Sequence, residues 1–272
     1  MSDITEQALE ALTQAFAAVP EVRAVVVAGS QTARNTDAAS DIDLYVYGMQ
    51  ETPLPARQAI AAALAERPEL DNRYWEPGDE WLDRATGLHV DIMYRTCGWI
   101  EEQLARILER HEAWVGYSTC FWHNVLVSRI LFDRDGWFTA LQAHARQPYP
   151  EPLRGAVVAK NHPILRETHS SYLYQITSAA ARQDRVSLNH RSAALLASYF
   201  DILFAINRLP HPGEKRLLAL AQQHCPAQPE AMVAHVEALL TAAGGDGSGV
   251  LPAVHALLDG LDALLRAEGL LP

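Results

Sequence analysis

Apolar and polar positions divide this chain into two stretches with different periods. Residues 4 to 18 place Ile4, Ala8, Leu9, Leu12 and Phe16 at helical spacing, which predicts a first helix. Val22 to Ala28 is a continuous apolar run of strand length, and a second strand is predicted over Ile42 to Tyr47. Gly48 to Pro55 reads as a loop, Arg57 to Ala65 as an alanine-rich helix, and Asn72 to Trp75 and Leu88 to Tyr94 as two further strands. Between those strands, Glu76 to Asp83 is acidic and carries a Pro-Gly turn signal, which predicts a loop. From Gly98 the period becomes helical, with Leu104, Ile107 and Leu108 on one face of a helix over Ile100 to His111. Ser128 to Phe132 predicts a short extended piece closed by the polar run Asp133 to Gly136, and Trp137 to Ala145 a further helix.

The cluster Gln147-Pro148-Tyr149-Pro150-Glu151-Pro152 is the strongest break in the pattern. Beyond it, helices are predicted over 154–183, 187–208, 214–223, 230–242 and 251–267, with stops at Leu209 to Gly213 and Gly244 to Gly249. The expected architecture is an α/β domain over residues 1–146, a small mixed sheet with helices, followed by an all-α helical bundle over 147–272, with a cleft between them. No internal repeat is visible.

Length and composition bound the class. A chain of 272 residues with 49% apolar and 20% charged residues is globular and long enough for a sizeable core. No apolar run reaches the length of a membrane span. The first residues, Met1 to Glu6, are acidic and lack the basic-then-apolar order of a signal peptide, so a cytoplasmic location is expected. The net charge of −11 and the lack of a Lys/Arg run argue against a nucleic-acid partner and for a small or protein substrate. Cys97, Cys120 and Cys225 are few, odd in number and far apart, which fits neither a disulfide framework nor a zinc site.

The chemistry concentrates between residues 29 and 44. A Gly29-Ser30 turn follows the first strand, and twelve positions after the glycine comes Ser40-Asp41-Ile42-Asp43-Leu44. On a strand, side chains at i and i+2 share a face, so Asp41 and Asp43 project together. Paired carboxylates hold hard cations, and the free backbone N–H groups of a turn hold phosphate oxygens, which together suit a metal–nucleoside triphosphate.

This pattern resembles the DNA polymerase beta-like nucleotidyltransferase superfamily, most closely the bacterial branch that includes aminoglycoside adenylyltransferases. The resemblance covers residues 22 to 95 well and the helical remainder loosely. In the superfamily a third carboxylate stands on a neighbouring strand, and Leu88-His89-Val90-Asp91-Ile92-Met93-Tyr94 supplies Asp91 in that context. The resemblance implies that Asp41 and Asp43 ligate two Mg²⁺ ions, and that Asp91 ligates one and accepts the proton of the acceptor. It also implies that Gly29 and Ser30 cradle the phosphates. The stretch Phe200 to Lys215, an apolar helix followed by Pro210-His211-Pro212-Gly213, is similar to the part of the adenylyltransferases where a lysine reaches the triphosphate, which points to Lys215. Lys160 and Lys215 are the lysines among 22 basic residues. The turn departs from the pattern by lacking the second glycine that many members carry.

The expected activity is therefore transfer of a nucleoside monophosphate, AMP from ATP, to a hydroxyl of a small molecule, with release of pyrophosphate. The rival readings are an AMP-transferase acting on a protein, as antitoxins of this kind do, and a non-catalytic nucleotide-binding regulatory module. The stretch Trp75, Glu76, Asp79, Glu80 and Trp81 reads first as an exposed hairpin loop; the alternative is a wall of the acceptor site, with Glu76 or Glu80 as the alternative base. His89 alternates with Asp91 and shares its face if the strand is regular. Gly244 to Gly249 lacks the Gly-Lys-Ser/Thr of a phosphate loop and reads as a flexible connection.

Overall fold

The computed structural model describes residues 3–27 and 41–271. Among these it contains six strands and eleven helices, and the chain divides into two compact units, Met1–Ala105 with Asn124–Gln147, and Arg106–His123 with Pro148–Pro272.

The first unit begins with α1 (Asp3–Ala17), β1 (Val22–Val27), β2 (Ile42–Gly48), α2 (Leu54–Leu64), β3 (Ala65–Asn72), β4 (Gly78–Asp83) and β5 (His89–Thr96). Helices α3 (Cys97–Leu108) and α4 (Cys120–Val127) carry the chain out of this unit and back, and β6 (Arg129–Asp133) and α5 (Trp137–Ala145) complete it. The strands form one sheet in the order β3-β4-β5-β2-β1-β6. The central pair β2–β5 is parallel and the other neighbours are antiparallel.

The period-two pattern decides which face is buried. Ile42, Leu44 and Val46 on β2 and Val90, Ile92 and Tyr94 on β5 turn to one side. There they pack with Leu9, Leu12 and Phe16 of α1 and Ile60 and Ala61 of α2. Each fully buried side chain of this size stabilises by about 1.5–3 kcal/mol. The same alternation sends Asp43, Tyr45, Asp91, Met93 and Arg95 to the opposite face.

Three expectations need correction here. The stretch Glu76 to Asp83 is not a loop: from Gly78 it is β4, paired to β5. A buried ion pair makes that possible. Asp79 is 0% exposed, yet it receives Arg57 Nε at 3.0 Å and Nη2 at 2.6 Å, and the Tyr94 hydroxyl donates to it at 2.7 Å. The Arg57 guanidinium also lies 4.4 Å from the Tyr94 ring centre. A buried carboxylate is tolerated when it is paired and hydrogen-bonded in this way. Gly78 marks a close approach rather than a turn, since a Cβ there would meet Ile92 O at 2.8 Å. The strand expected at Asn72 to Trp75 lies earlier, as β3, and the alanine-rich helix starts at Leu54, with Pro55 in its first turn, where a missing N–H costs nothing.

The second unit holds α6 (Glu151–Arg166), α7 (Tyr172–Ala181), α8 (Arg185–Ile206), α9 (Leu217–His224), α10 (Met232–Gly244) and α11 (Val250–Ala267). The single helix expected over 154–183 is two. Ser171 accepts the N–H of Tyr174 and caps a new start, so the chain breaks between α6 and α7. Asp184 caps α8 in the same way, accepting from Ser187 N at 3.0 Å. The last two turns of α8, from Ser198 to Ile206, are buried on every side, and Leu203 and Ile206 share a core with Leu165, Ile176, Val236, Leu257 and Leu261. No disulfide joins Cys97, Cys120 and Cys225. Among the described residues no helix is long and apolar enough to cross a membrane.

Candidate functional site

The parallel register of β2 and β5 sets Asp43 directly beside Asp91, and the antiparallel register of β4 and β5 sets Glu80 beside Asp91 on its other side. Register partners point to the same face, and neighbouring strands lie about 4.8 Å apart. Asp43, Asp91 and Glu80 thus form a row of carboxylates across three adjacent strands. Asp41 stands immediately before β2, two residues from Asp43. His89, two residues from Asp91, lies between the ends of the row. Its Nδ1 is 3.7 Å from Asp41 Oδ1 and its Nε2 is 3.8 Å from Glu80 Oε2. Asn72 Nδ2 donates to Glu80 Oε1 at 3.0 Å, so β3 anchors the outer end of the row.

Burial and the crowding of like charges act together on the central carboxyl. The Asp91 carboxyl is pushed up to about 6, first by burial, then by Glu80 and Asp43, with Asp41 adding to the effect and His89 opposing it. A carboxylate held between two others, without a compensating cation, resists ionisation.

Further along the same face the surface closes. The Arg95 guanidinium lies 4.0 Å from the Tyr45 ring centre and 5.0 Å from that of Trp99. It is paired to both oxygens of Glu76, Nε to Oε2 and Nη2 to Oε1, each at 2.8 Å. Burial works against its charge, but Glu76 together with Tyr47 and Tyr45 outweighs it and holds Arg95 protonated, above the ordinary arginine range. Tyr45 accepts a hydrogen bond from Asn124 Nδ2 at 3.2 Å. Glu76 is thereby committed to Arg95, which weighs against its expected role as alternative base.

The structure therefore brings together Asp41, Asp43 and Asp91, and sets beside them Glu80, read from sequence as an alternative base, and His89, read as sharing the Asp91 face. Gly29 and Ser30 lie outside the described residues. Lys215 belongs to the second unit, exposed in the turn before α9. Of the aromatic residues expected at an acceptor site, Trp75 is 94% exposed and Trp81 is buried in the core beneath the sheet.

The donors suit a hard divalent cation, since Asp41, Asp43 and Asp91 offer carboxylate oxygens alone. The crowding that raises Asp91 is a condition a cation would relieve. Among the described residues no group of three or more His, Cys, Asp and Glu side chains is so placed that it could hold a metal ion.

A second raised carboxyl, not anticipated from sequence, lies in the second unit. Asp201 of α8 is 2% exposed. Ser118 donates to it twice, through N at 3.1 Å and through Oγ at 2.6 Å, and Asn161 Nδ2 donates at 3.2 Å. Asn161 also receives Gly116 N at 2.8 Å and donates to Trp114 O at 2.9 Å. Arg106 donates to the carbonyls of Glu112 and Ser118 and stacks 3.7 Å from the Trp114 ring centre. Gly116 has φ +72°, and a Cβ there would meet Ala197 Cβ at 3.2 Å, so only glycine lets this loop pass α8. Burial lifts the Asp201 carboxyl to about 7, against the pull of Ser118, Asn161 and Arg106. The signal in the sequence was an acid inside an otherwise apolar helical run, Leu195 to Ile206.

A model of a domain of unknown function (DUF4037) matches residues 117–217, the stretch that holds Ser118, Asn161 and Asp201. No curated protein matches the chain. Among solved structures the chain is similar to a nucleotidyltransferase-like protein from Exiguobacterium sibiricum 255-15, with 16% identity, covering 97% of this chain and 75% of that one, at a TM-score of 0.45. It is similar also to the Thermotoga maritima CCA-adding enzyme complexed with tRNA, with 13% identity, covering 99% and 83%, at a TM-score of 0.30.

Proposed function

We propose that this chain is a Mg²⁺-dependent nucleotidyltransferase, which moves a nucleoside monophosphate, AMP from ATP, to a hydroxyl of a small molecule. The observation that carries the reading is the register of Asp43 with Asp91 on the parallel pair β2–β5, with Asp41 two residues before Asp43. Like charges side by side destabilise a sheet, so three carboxylates at the start of two neighbouring strands support a role in binding.

In the proposed reaction the acceptor oxygen forms a bond to the α-phosphorus while the bond from that phosphorus to the α,β-bridging oxygen breaks, and pyrophosphate leaves. Asp91 accepts the hydroxyl proton. Raised to about 6 in the cation-free chain, its carboxyl is still mostly ionised at neutral pH and able to accept a proton. Asp41 and Asp43 hold the cations. When bound, two Mg²⁺ ions would stabilise the attacking and leaving oxygens together. Gly29 and Ser30, by their resemblance to the superfamily motif, are proposed to hold the phosphates.

The test is pyrophosphate release from each nucleoside triphosphate with Mg²⁺, against a panel of hydroxyl-bearing small molecules and, in parallel, proteins. Release that depends on a small acceptor supports the proposal, and release that needs a protein acceptor moves it to the protein-modifying class. No release with any triphosphate, together with no triphosphate binding, would refute it.

A further inference from the structure

In the second unit, the loop before α4 is strained and firmly held, and it presents an aromatic ring to solvent. His111, Gly116 and Tyr117 take left-handed backbone, with φ +55°, +72° and +55°. Two of the three carry a side chain, and that conformation persists only where the surroundings enforce it. The enforcement centres on Trp114. Its N–H donates to Ser118 Oγ at 2.9 Å, and its carbonyl accepts from Ser118 Oγ at 3.2 Å and from Asn161 Nδ2 at 2.9 Å. Ser118 and Asn161 both donate to the buried Asp201. The residue fixed in this way is nevertheless outside the core: Trp114 is 40% exposed, and Val115 beside it 49%. One face of the indole lies over the Arg106 guanidinium, 3.7 Å from the ring centre, and Phe121 stands edge-on with its centre at 6.3 Å. With that much of the residue exposed, the other face is open to solvent. Arg106 is itself 6% exposed, its Nη1 and Nη2 donate to the carbonyls of Glu112 and Ser118 at 2.8 and 3.0 Å, and its Nε is buried without a partner.

We infer that Trp114 is a stacking platform for a neutral, flat heteroaromatic ring such as a nucleobase. The inference concerns the second unit alone and needs no cation on the carboxylate row. Two features choose this ligand. An indole whose backbone and inner face are already fixed loses little freedom when a ring is laid on it, so the contact is preorganised. The buried guanidinium beneath it draws on the π electrons, which leaves the open face a poor partner for a second cation. An ammonium placed there would also be repelled by Arg106 across the ring. A neutral base carries neither penalty, and stacking on an aromatic side chain accepts any base because every base has a π face.

The experiment titrates adenosine into the full chain in EDTA, followed by calorimetry and by the indole N–H resonance of Trp114, which is the one missing from the spectrum of Trp114→Phe. The wild type is expected to bind with a Kd of about 1 mM or tighter and to shift that resonance. Trp114→Phe keeps a flat ring and should stay within about threefold of the wild type, whereas Trp114→Leu keeps bulk without a ring and should bind about tenfold more weakly. Should Trp114→Leu fail to fold, Trp114→Met carries the same prediction. No binding of adenosine by the wild type, or unchanged affinity in Trp114→Leu, overturns the inference and leaves the reading of the carboxylate row standing, since EDTA removes any divalent cation from the test. Spermidine is titrated in parallel. Spermidine binding by the wild type that is lost in Trp114→Leu would make the open face a cation site and would also overturn the inference.

Discussion

Asp91 in the sheet and Asp201 in α8 are both raised carboxyls, to about 6 and about 7, chiefly by burial in each case, but their neighbours act in opposite directions. Asp201 is buried more deeply, but donors from Ser118 and Asn161 meet its oxygens, and Arg106 stands near. Its network is complete: it pins the loop Trp114 to Ser118 to α8. Asp91 sits between Asp43 and Glu80, and its surroundings add negative charge where those of Asp201 add donors. A raised carboxyl therefore marks a site only when its neighbours leave it worse off. On the proposed reading the arrangement at Asp91 takes a positive ligand, and the arrangement at Asp201 takes none.

The largest effect should come from Asp43→Asn. It is expected to lower turnover on the order of 10³-fold while leaving the Tm in EDTA unchanged or higher, as single-turnover rates and thermal unfolding would show. A variant with normal rate would end the reading of the row. Next, Asp91→Asn should lose about 10² to 10⁴ in the chemical step if it serves mainly as base, while affinity for a non-hydrolysable ATP analogue with Mg²⁺ stays near normal. A parallel fall of affinity and rate would make Asp91 chiefly a metal ligand.

The second carboxylate should respond in the opposite way. Asp201→Ala leaves the Ser118 and Asn161 donors buried without an acceptor and is expected to cost about 3 kcal/mol in urea unfolding. A variant as stable as the wild type would show that the network contributes nothing to holding the loop. The smallest effect is pH-dependent. Because the Asp91 carboxyl is raised in the folded chain, the native state keeps a proton that the unfolded chain has released, and the stability tied to it is full below about pH 4 and lost as pH rises through about 6. In EDTA the difference in Tm between wild type and Asp91→Asn should therefore grow across that window in favour of the variant. A constant difference would place Asp91 in a less crowded environment than the register indicates.

Much of this comparison was legible in the chain. The i, i+2 spacing of Asp41 and Asp43 and the alternation around Asp91 placed these aspartates on strand faces, because period two is a local property. Glu80 was harder to place. Its stretch looked like a loop because Asp79 is an unusual residue for a core, and its partner Arg57 is 22 residues away on α2. Similarly, the donors to Asp201 come from Ser118 and Asn161, 83 and 40 residues distant. Buried polar pairs are set by tertiary register, which a local pattern does not carry. The break between α6 and α7 was visible in principle, as Ser171 before Tyr172, but apolar spacing on both sides concealed it.

The central claim is that the row of Asp41, Asp43 and Asp91 binds a metal–nucleoside triphosphate. Calorimetry with a non-hydrolysable ATP analogue tests it most directly, with Mg²⁺ and with EDTA, on the wild type and Asp43→Asn. Binding is predicted for the wild type with Mg²⁺, and it should be mostly lost in EDTA and in the variant. Equal affinity in EDTA, or in Asp43→Asn, would contradict the assignment of the carboxylates.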